Sequence, residues 1–249
     1  MSGPLRLEEV AIELNGCLLI PPLSVAVRPG EVLTLMGPSG SGKSTLLSVL
    51  SGTVAPVFRV GGRVWIGERE VTDLPPERRR MGILFQDDLL FPHLSVEENL
   101  AFGLASSVRG RSVRAARIEA ALRDAGLAGF ARRDPATLSG GQRARVALMR
   151  LLLAEPQALL LDEPFNKLDA ALREEFRRFV FAHARAAGLP VLMVTHDAMD
   201  AVAAEGPVLE LLKTPEGIPV IHGSDPGRTI RALNDITPGM VRPPLAERI

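Results

Sequence analysis

The chain has a single cysteine, Cys17, in 249 residues. One thiol forms no internal disulfide, so a reducing compartment is favoured. Net charge is missing as well: 29 Lys and Arg are balanced by 29 Asp and Glu. A sequence-independent grip on nucleic acid needs a basic excess, and none exists here. The densest basic run, Glu77-Arg78-Arg79-Arg80, has no interleaved aromatics and reads as a solvated loop. No apolar run is long enough to cross a bilayer. The most apolar stretch, Leu148 to Pro164, is interrupted by Arg150, Glu155 and Pro156. Glu8 and Glu9 stand where a signal peptide would place its apolar segment. The chain is expected to be soluble by itself, so action at a membrane would require another chain to span it. Tyrosine is absent, and lysine occurs three times against 26 arginines.

Hydrophobic residues make up 46% of the chain and mean hydropathy is +0.16. That is enough for a sizeable core in one domain, or one domain with a subdomain. Alternating or apolar runs predict strands in "LRLEEVAIEL", "PLSVAVRPGEVLTLMG", "GGRVWIGEREVTDLP" and "RRRMGILFQ". Helical spacing of Val113, Ile118, Leu122 and Ala125 predicts a helix from Ser112 to Ala125, capped by Gly126. "DPATLSGGQ" opens a second helix. A third begins at the cap Asp169, carries Leu172, Phe176, Phe179, Val180 and Ala187 on one face, and ends at Gly188 and Pro190. "ALLLD" and "VLMVTH" read as strands buried on both faces, as in a parallel sheet. Strands alternating with helices predict an α/β fold with a largely parallel sheet. The proline-containing tail after Gly223 is expected to be irregular.

Gly37 to Thr45, "GPSGSGKST", fits G-x-x-x-x-G-K-[ST], with an apolar strand before it and a helical pattern after it. Gly37, Gly40 and Gly42 let the backbone through Pro38, Ser39 and Ser41 curl, so that N–H groups converge on phosphate oxygens at a helix start. Lys43 would neutralise the β and γ phosphates and Ser44 would offer its hydroxyl to Mg²⁺. A chain that writes arginine almost everywhere has lysine at this position. A compact ammonium fits among wrapped phosphates where a planar guanidinium does not. Further on, Asp162 and Glu163 end the apolar strand. Asp162 would bind the Mg²⁺ through water, and Glu163 would polarise the water that attacks the γ-phosphate.

A second glycine-rich stretch, "LSGGQ" at Leu138–Gln142, stands about a hundred residues after the first. It resembles the signature motif of ATP-binding cassette (ABC) ATPases. The other landmarks of that family stand in the right order around it: Gln86 in "ILFQDD" looks like the Q-loop, Asn166–Asp169 ("NKLD") like the D-loop, and His196 in "VTHD" like the switch histidine. The resemblance covers roughly residues 4 to 223. It implies a P-loop NTPase core with a mostly parallel sheet, an N-terminal antiparallel β subdomain, and a helical subdomain at about 87–155 carrying the signature. Residues 1–223 would form the ATPase domain and 224–249 a tail. Glu163, His196, Lys43 and Gln86 would be catalytic, with Ser44, Gln86 and Asp162 around Mg²⁺. In the family, two ATPase subunits meet head to tail. Ser139, Gly140, Gly141 and Gln142 of one would grip the ATP held by the other's P-loop (residues 37–45), and Asp169 would lie in the D-loop. That explains why the second site needs no lysine.

The sequence departs from the family in two places. An aromatic that stacks on adenine usually precedes the P-loop by about two dozen residues, and the count lands near Leu14. Asn166 stands where a serine is common. The segment from Val71 to Leu104 resembles importer subunits for small solutes, in which the region after the Q-loop receives a short helix of the permease. Leu89, Leu90, Phe91 and Leu94, beside Asp87 and Asp88, would suit such a groove or pack the helical subdomain's own core. The implied partners are a second ATPase subunit, an integral membrane permease and a solute-binding protein, with no nucleic acid. The implied location is the inner face of the cell membrane. An exporter subunit, or a soluble non-transport ABC ATPase, stays open as an alternative. The chain is expected to lack the C-terminal regulatory domain of maltose-type importers.

Overall fold

A strand buries every second side chain until an extra residue breaks the pleat. The computed structural model, which describes residues 3–215, 217–224 and 231–232, shows both behaviours in its first strand. The strands are β1 (Leu5–Leu14), β2 (Cys17–Val27), β3 (Val32–Met36), β4 (Phe58–Ile66), β5 (Arg69–Glu70), β6 (Met81–Leu84), β7 (Ala158–Asp162), β8 (Val191–Thr195), β9 (Val208–Lys213), β10 (Pro219–Ser224) and β11 (Arg231–Ala232). The helices are α1 (Lys43–Ser51), α2 (Pro76–Arg79), α3 (Val96–Gly103), α4 (Arg111–Asp124), α5 (Gly140–Leu153), α6 (Ala170–Ala186) and α7 (Ala198–Ala204).

In β1 the buried positions run Leu5, Leu7 and then Val10, Ile12. The switch from odd to even occurs at Glu9, whose φ is 50° and where the register with both neighbours shifts. Facing it is Gly62 at φ 85°, where a Cβ would lie 2.4 Å from the Glu9 carbonyl oxygen, so only glycine fits. Asn15 and Gly16, with φ of 52° and 79°, make the tight turn into β2. These strands form an antiparallel sheet in the order β11-β2-β1-β4-β5.

The second sheet has the order β10-β9-β3-β8-β7-β6. Strands β9, β3, β8, β7 and β6 are parallel, and β10 closes the edge antiparallel to β9. β8 is buried throughout, and β3 and β7 are buried in all but their last residue, as a sheet covered on both faces requires. One face, through Leu33, Leu35, Leu160 and Leu192, packs on α1 and the antiparallel sheet. The other, through Leu159, Leu161, Val191 and Met193, packs on α5 and α6. A third cluster joins α3, α4 and the outer side of α5 through Leu100, Leu122, Val146 and Met149.

Three local expectations change. Val113 is 51% exposed; of the predicted stripe Ile118, Leu122 and Ala125 are buried, and Ala121 joins them. Ala187 is the exposed C-cap of α6, and the buried stripe ends at Phe181 and Ala184. Glu77–Arg80 is helical and not a loop, lying in α2 and its C-cap; Glu77, Arg78 and Arg80 are exposed, but Arg79 is buried, donating to the carbonyls of Val49 (2.7 Å) and Leu50 (2.9 Å) at the end of α1. Beyond Gly223, Ser224 completes β10 and β11 pairs with β2. The rest of the expected irregular tail lies outside the described residues. No helix among the described residues is long and apolar enough to cross a membrane.

Candidate functional site

Parallel strands bring all their C-terminal ends to one edge, and a crevice there is where open α/β sheets bind ligands. Met36 of β3 pairs with Thr195 of β8, and Asp162 of β7 pairs with Val194. The loop after β3, the acidic pair after β7 and His196 after β8 therefore meet, although they are up to 159 positions apart in the chain (196 − 37).

The loop between β3 and α1 takes its shape from close contacts. Gly42, at φ 98°, caps α1 and lies under Leu19, whose Cγ would be 2.7 Å from an added Cβ. Lys43, the first residue of α1, is buried. Its ammonium donates to the carbonyls of Gly37 and Pro38, each at 2.8 Å, and so stands over the loop. Burial lowers its pKa, opposed by the charges of Glu163 and Asp162. Ser41 Oγ is buried with no hydrogen-bond partner among the described residues. A phosphate oxygen would satisfy that hydroxyl.

Ser44 Oγ donates to Asp162 Oδ1 at 2.9 Å. Burial pushes the Asp162 carboxyl up; the Ser44 bond opposes this, Glu163 adds to it and Lys43 opposes it. A hydroxyl and a carboxylate are the hard oxygen donors that suit Mg²⁺, which draws its remaining ligands from water and phosphate. The residues present thus fit a nucleotide with its metal. Glu163 follows at φ 46°, its amide bonded to the Val194 carbonyl at 3.0 Å. Its Oε2 accepts from Asn166 Nδ2 and lies 3.3 Å from His196 Nδ1.

The second glycine-rich stretch stands apart, with no hydrogen bond or ion pair to the first among the described residues. Ser139 caps α5: its Oγ accepts from the Gln142 amide at 3.3 Å, and Gln142 Oε1 accepts from the Ser139 amide at 3.0 Å. Gly140 and Gly141 begin the helix, where amides have no intrahelical partner. Gly141 is also where α5 approaches α6, an added Cβ meeting Leu172 at 3.3 Å. Asp169 caps α6 by accepting from the Leu172 amide at 3.0 Å.

Gln86 is exposed beyond β6 and has no hydrogen-bond partner among the described residues, so it is not drawn to Ser44 or Asp162. Thr45 is half-buried in α1. Leu14 ends β1, half-buried, with Cys17 and Phe58 as its register neighbours. Sequence reasoning missed the contact of Asn166 with Glu163, and the network behind His196. There Asp197 accepts from Arg173 and Arg177, each at 3.1 Å, and buried Asp200 accepts from Arg177 Nε and Thr195 Oγ1, each at 2.6 Å. The only available signal was a charged pattern on one side of α6, which names no partner.

A groove of about 760 Å³ opens along β6, α3 and α5. Phe102, Leu89 and Phe85 line it at 70%, 57% and 45% exposure. Leu90 instead packs into the core clusters, so the two readings of the 89–94 segment divide between neighbouring residues.

Comparison with known proteins agrees with this arrangement. A family described as "ABC transporter" matches residues 20–166. The uncharacterised ABC transporter ATP-binding protein YnjD of Escherichia coli (strain K12) is 48% identical over 212 residues, 85% of this chain and 97% of that protein. PhnT of Salmonella typhimurium (strain LT2), named for 2-aminoethylphosphonate import, is 42% identical over 200 residues, 79% of this chain. The Fe(3+) ions import ATP-binding protein FbpC of Brucella abortus (strain 2308) is 41% identical over 207 residues, 83% of this chain. The matches span 53% of PhnT and 58% of FbpC, little more than half of each. With the glycine-rich loop, the Ser44–Asp162 pair and Glu163 at one sheet edge, the chain belongs to the ABC transporter ATP-binding family, whose members bind and hydrolyse ATP.

Proposed function

We propose that this chain is the ATPase subunit of an importer for a small solute, and that it works as a pair of identical subunits on a permease. The observation that carries the reading is the separation of two glycine-rich helix starts. One has Lys43, Ser44 and Asp162 around it; the other, at Ser139–Gln142, has no cation of that kind within it. Two copies arranged head to tail complete both sites, since an isologous pair repeats every contact twice.

In this reading Gly37 to Thr45 hold the triphosphate, and Lys43 leaves the carbonyls of Gly37 and Pro38 for its oxygens. Ser44 and Asp162 would hold the Mg²⁺, which would supply charge neutralisation at the phosphates, and Gln86 would join them by moving from its exposed place beyond β6. Glu163 takes the proton of the attacking water, and His196 orients Glu163 and the γ-phosphate. Ser139, Gly140, Gly141 and Gln142 bind the partner's nucleotide, Asp169 lies in the loop between the sites, and Leu14 faces the base. The ATPase domain takes in Ser224 and Arg231–Ala232 as well as the residues before them, since Ser224 completes β10 and β11 pairs with β2, and 87–155 is its helical subdomain. ATP closes the pair and hydrolysis reopens it.

The permease reading rests on the groove: three large apolar side chains exposed around one concavity suit the apolar face of a short helix. The subunit would then lie peripherally on the inner face of the membrane, with a solute-binding protein acting on the far side. Relatives named for Fe(3+) and for 2-aminoethylphosphonate match at similar identity, which favours import and leaves the solute to the permease. Phosphate release by the purified protein should rise faster than linearly with protein concentration. A strictly linear rate from a protein that stays monomeric with ATP and Mg²⁺ would exclude the paired site. Phe102→Asp should abolish copurification with the permease while ATP binding persists; retained copurification would remove the groove from the reading.

A further inference from the structure

Glu163 closes a ring of contacts that no motif describes. From Oε2 the path runs to Asn166 Nδ2, and along the chain to Leu168, whose carbonyl accepts from Arg173 Nη2 at 3.1 Å. The same guanidinium donates through Nη1 to Asp197 Oδ2 at 3.1 Å. Asp197 follows His196, whose Nδ1 returns to Glu163 Oε2 at 3.3 Å. The loop that begins at Asn166 and the loop that carries His196 are thus joined twice, once through the carboxylate and once through Arg173.

The ring bears on Glu163 in a specific way. A glutamate carboxylate turns about a broad, two-fold torsion, so its two oxygens exchange unless something distinguishes them. Here Asn166 donates to Oε2, His196 Nδ1 lies 3.3 Å from the same oxygen, and among the described residues no donor bonds Oε1. Glu163 also sits at φ 46°, a conformation that persists in a non-glycine residue only where the surroundings over-determine it.

We infer that Asn166 and Arg173 are positioning residues for hydrolysis: together they present Glu163 Oε1 to the attacking water and tie that geometry to the loop at 166–169. The inference rests on the reading of Glu163 as the base. Its consequence is that displacement of this loop, as when a second subunit seats against it, moves the base as well. Asn166 is thereby more than a tolerated replacement for serine. Arg173 is separable from the fold's stability because Arg177 holds Asp197 independently at 3.1 Å and is itself paired with buried Asp200.

The test is steady-state ATP hydrolysis by the full chain, with ATP binding and thermal unfolding measured alongside. Asn166→Asp keeps the shape but replaces the N–H donor with a second carboxylate facing Glu163, and should lower kcat by at least about tenfold, through the lost hydrogen bond to a charged group and the added like-charge repulsion, with KM for ATP changed by less than about twofold. Asn166→Ser restores a donor and should recover most of that loss. Arg173→Gln should lower kcat in the same sense while binding and Tm stay near the parent's. The double variant Asn166→Asp/Arg173→Gln should fall no further than the worse single one, because both cut the same ring. Parental kcat in Asn166→Asp, or losses that multiply in the double variant, would overturn the inference. A parent chain that binds ATP without any turnover would instead sink the reading of the ATPase site, and the inference with it.

Discussion

Glu163→Gln is the sharpest probe of the chemistry, because the structure lets the change be made almost without altering shape. The amide oxygen can take the place of Oε2, accepting from Asn166 and lying beside His196, while the amide nitrogen takes the place of Oε1. The hydrogen bond to the former charge weakens by about 1 kcal/mol. Against that, a charge that pushes the Asp162 carboxyl up is removed. The two effects oppose each other, so Tm should move by no more than about 4 °C in a chain of this size. Turnover should behave very differently. Proton removal by a positioned base contributes about 10²- to 10⁴-fold, or roughly 3–5 kcal/mol of barrier. Phosphate release should therefore fall at least about a hundredfold while nucleotide binding persists. With hydrolysis stopped after closure, the variant should accumulate as an ATP-bound pair, visible by size-exclusion chromatography with ATP and Mg²⁺. If Glu163→Gln kept more than about a third of the parent's turnover, Glu163 would not be the base, since no general-base contribution is that small.

The remaining predictions concern binding, assembly, base contact and pH. Lys43→Ala should weaken ATP binding, and Ser139→Arg should spare monomer binding but abolish pairing and turnover; mixing the two should restore one composite site, and failure to recover any activity from folded subunits able to pair would argue against it. Leu14→Tyr should tighten ATP binding by about two- to tenfold, the worth of one aromatic stack; titration of the isolated protein with ATP tests this, and an unchanged or weaker affinity would place the base elsewhere. Burial holds the Asp88 carboxyl above the ordinary carboxylate value, opposed by the hydrogen bond and charge of Arg143. A raised folded-state value means that this group's stabilisation is full below the ordinary carboxylate value and lost as pH rises through the raised one. Asp88→Asn should therefore be no less stable than the parent at pH 7, and should lose any advantage at acid pH; Tm measured against pH decides, and a marked drop at pH 7 would refute the sign.

Much of this protein could be read without coordinates because its information is local. Apolar runs such as "VLTLM" and "ALLLD" mark strands covered on both faces, and the run of glycines before Lys43 specifies a backbone that only a phosphate-type loop adopts. Alternation predicted β1, yet not that its buried side switches at Glu9, since a bulge depends on Gly62 of another strand accepting the extra residue. Periodicity placed α6 but misjudged its last turn. Arg79 looked like one arginine in a solvated run; its burial follows from its bonds to the carbonyls of Val49 and Leu50 at the end of α1, some thirty positions earlier in the chain. The motifs named Lys43, Asp162, Glu163 and His196 one by one. What brings them to one edge is the parallel register of β3, β8 and β7, and register is a property of pairing between distant strands. The ring through Asn166 and Arg173 was likewise beyond reach. Hydrogen bonds are directional and short, so their partners are determined only when helix α6 is laid beside the loop after β8.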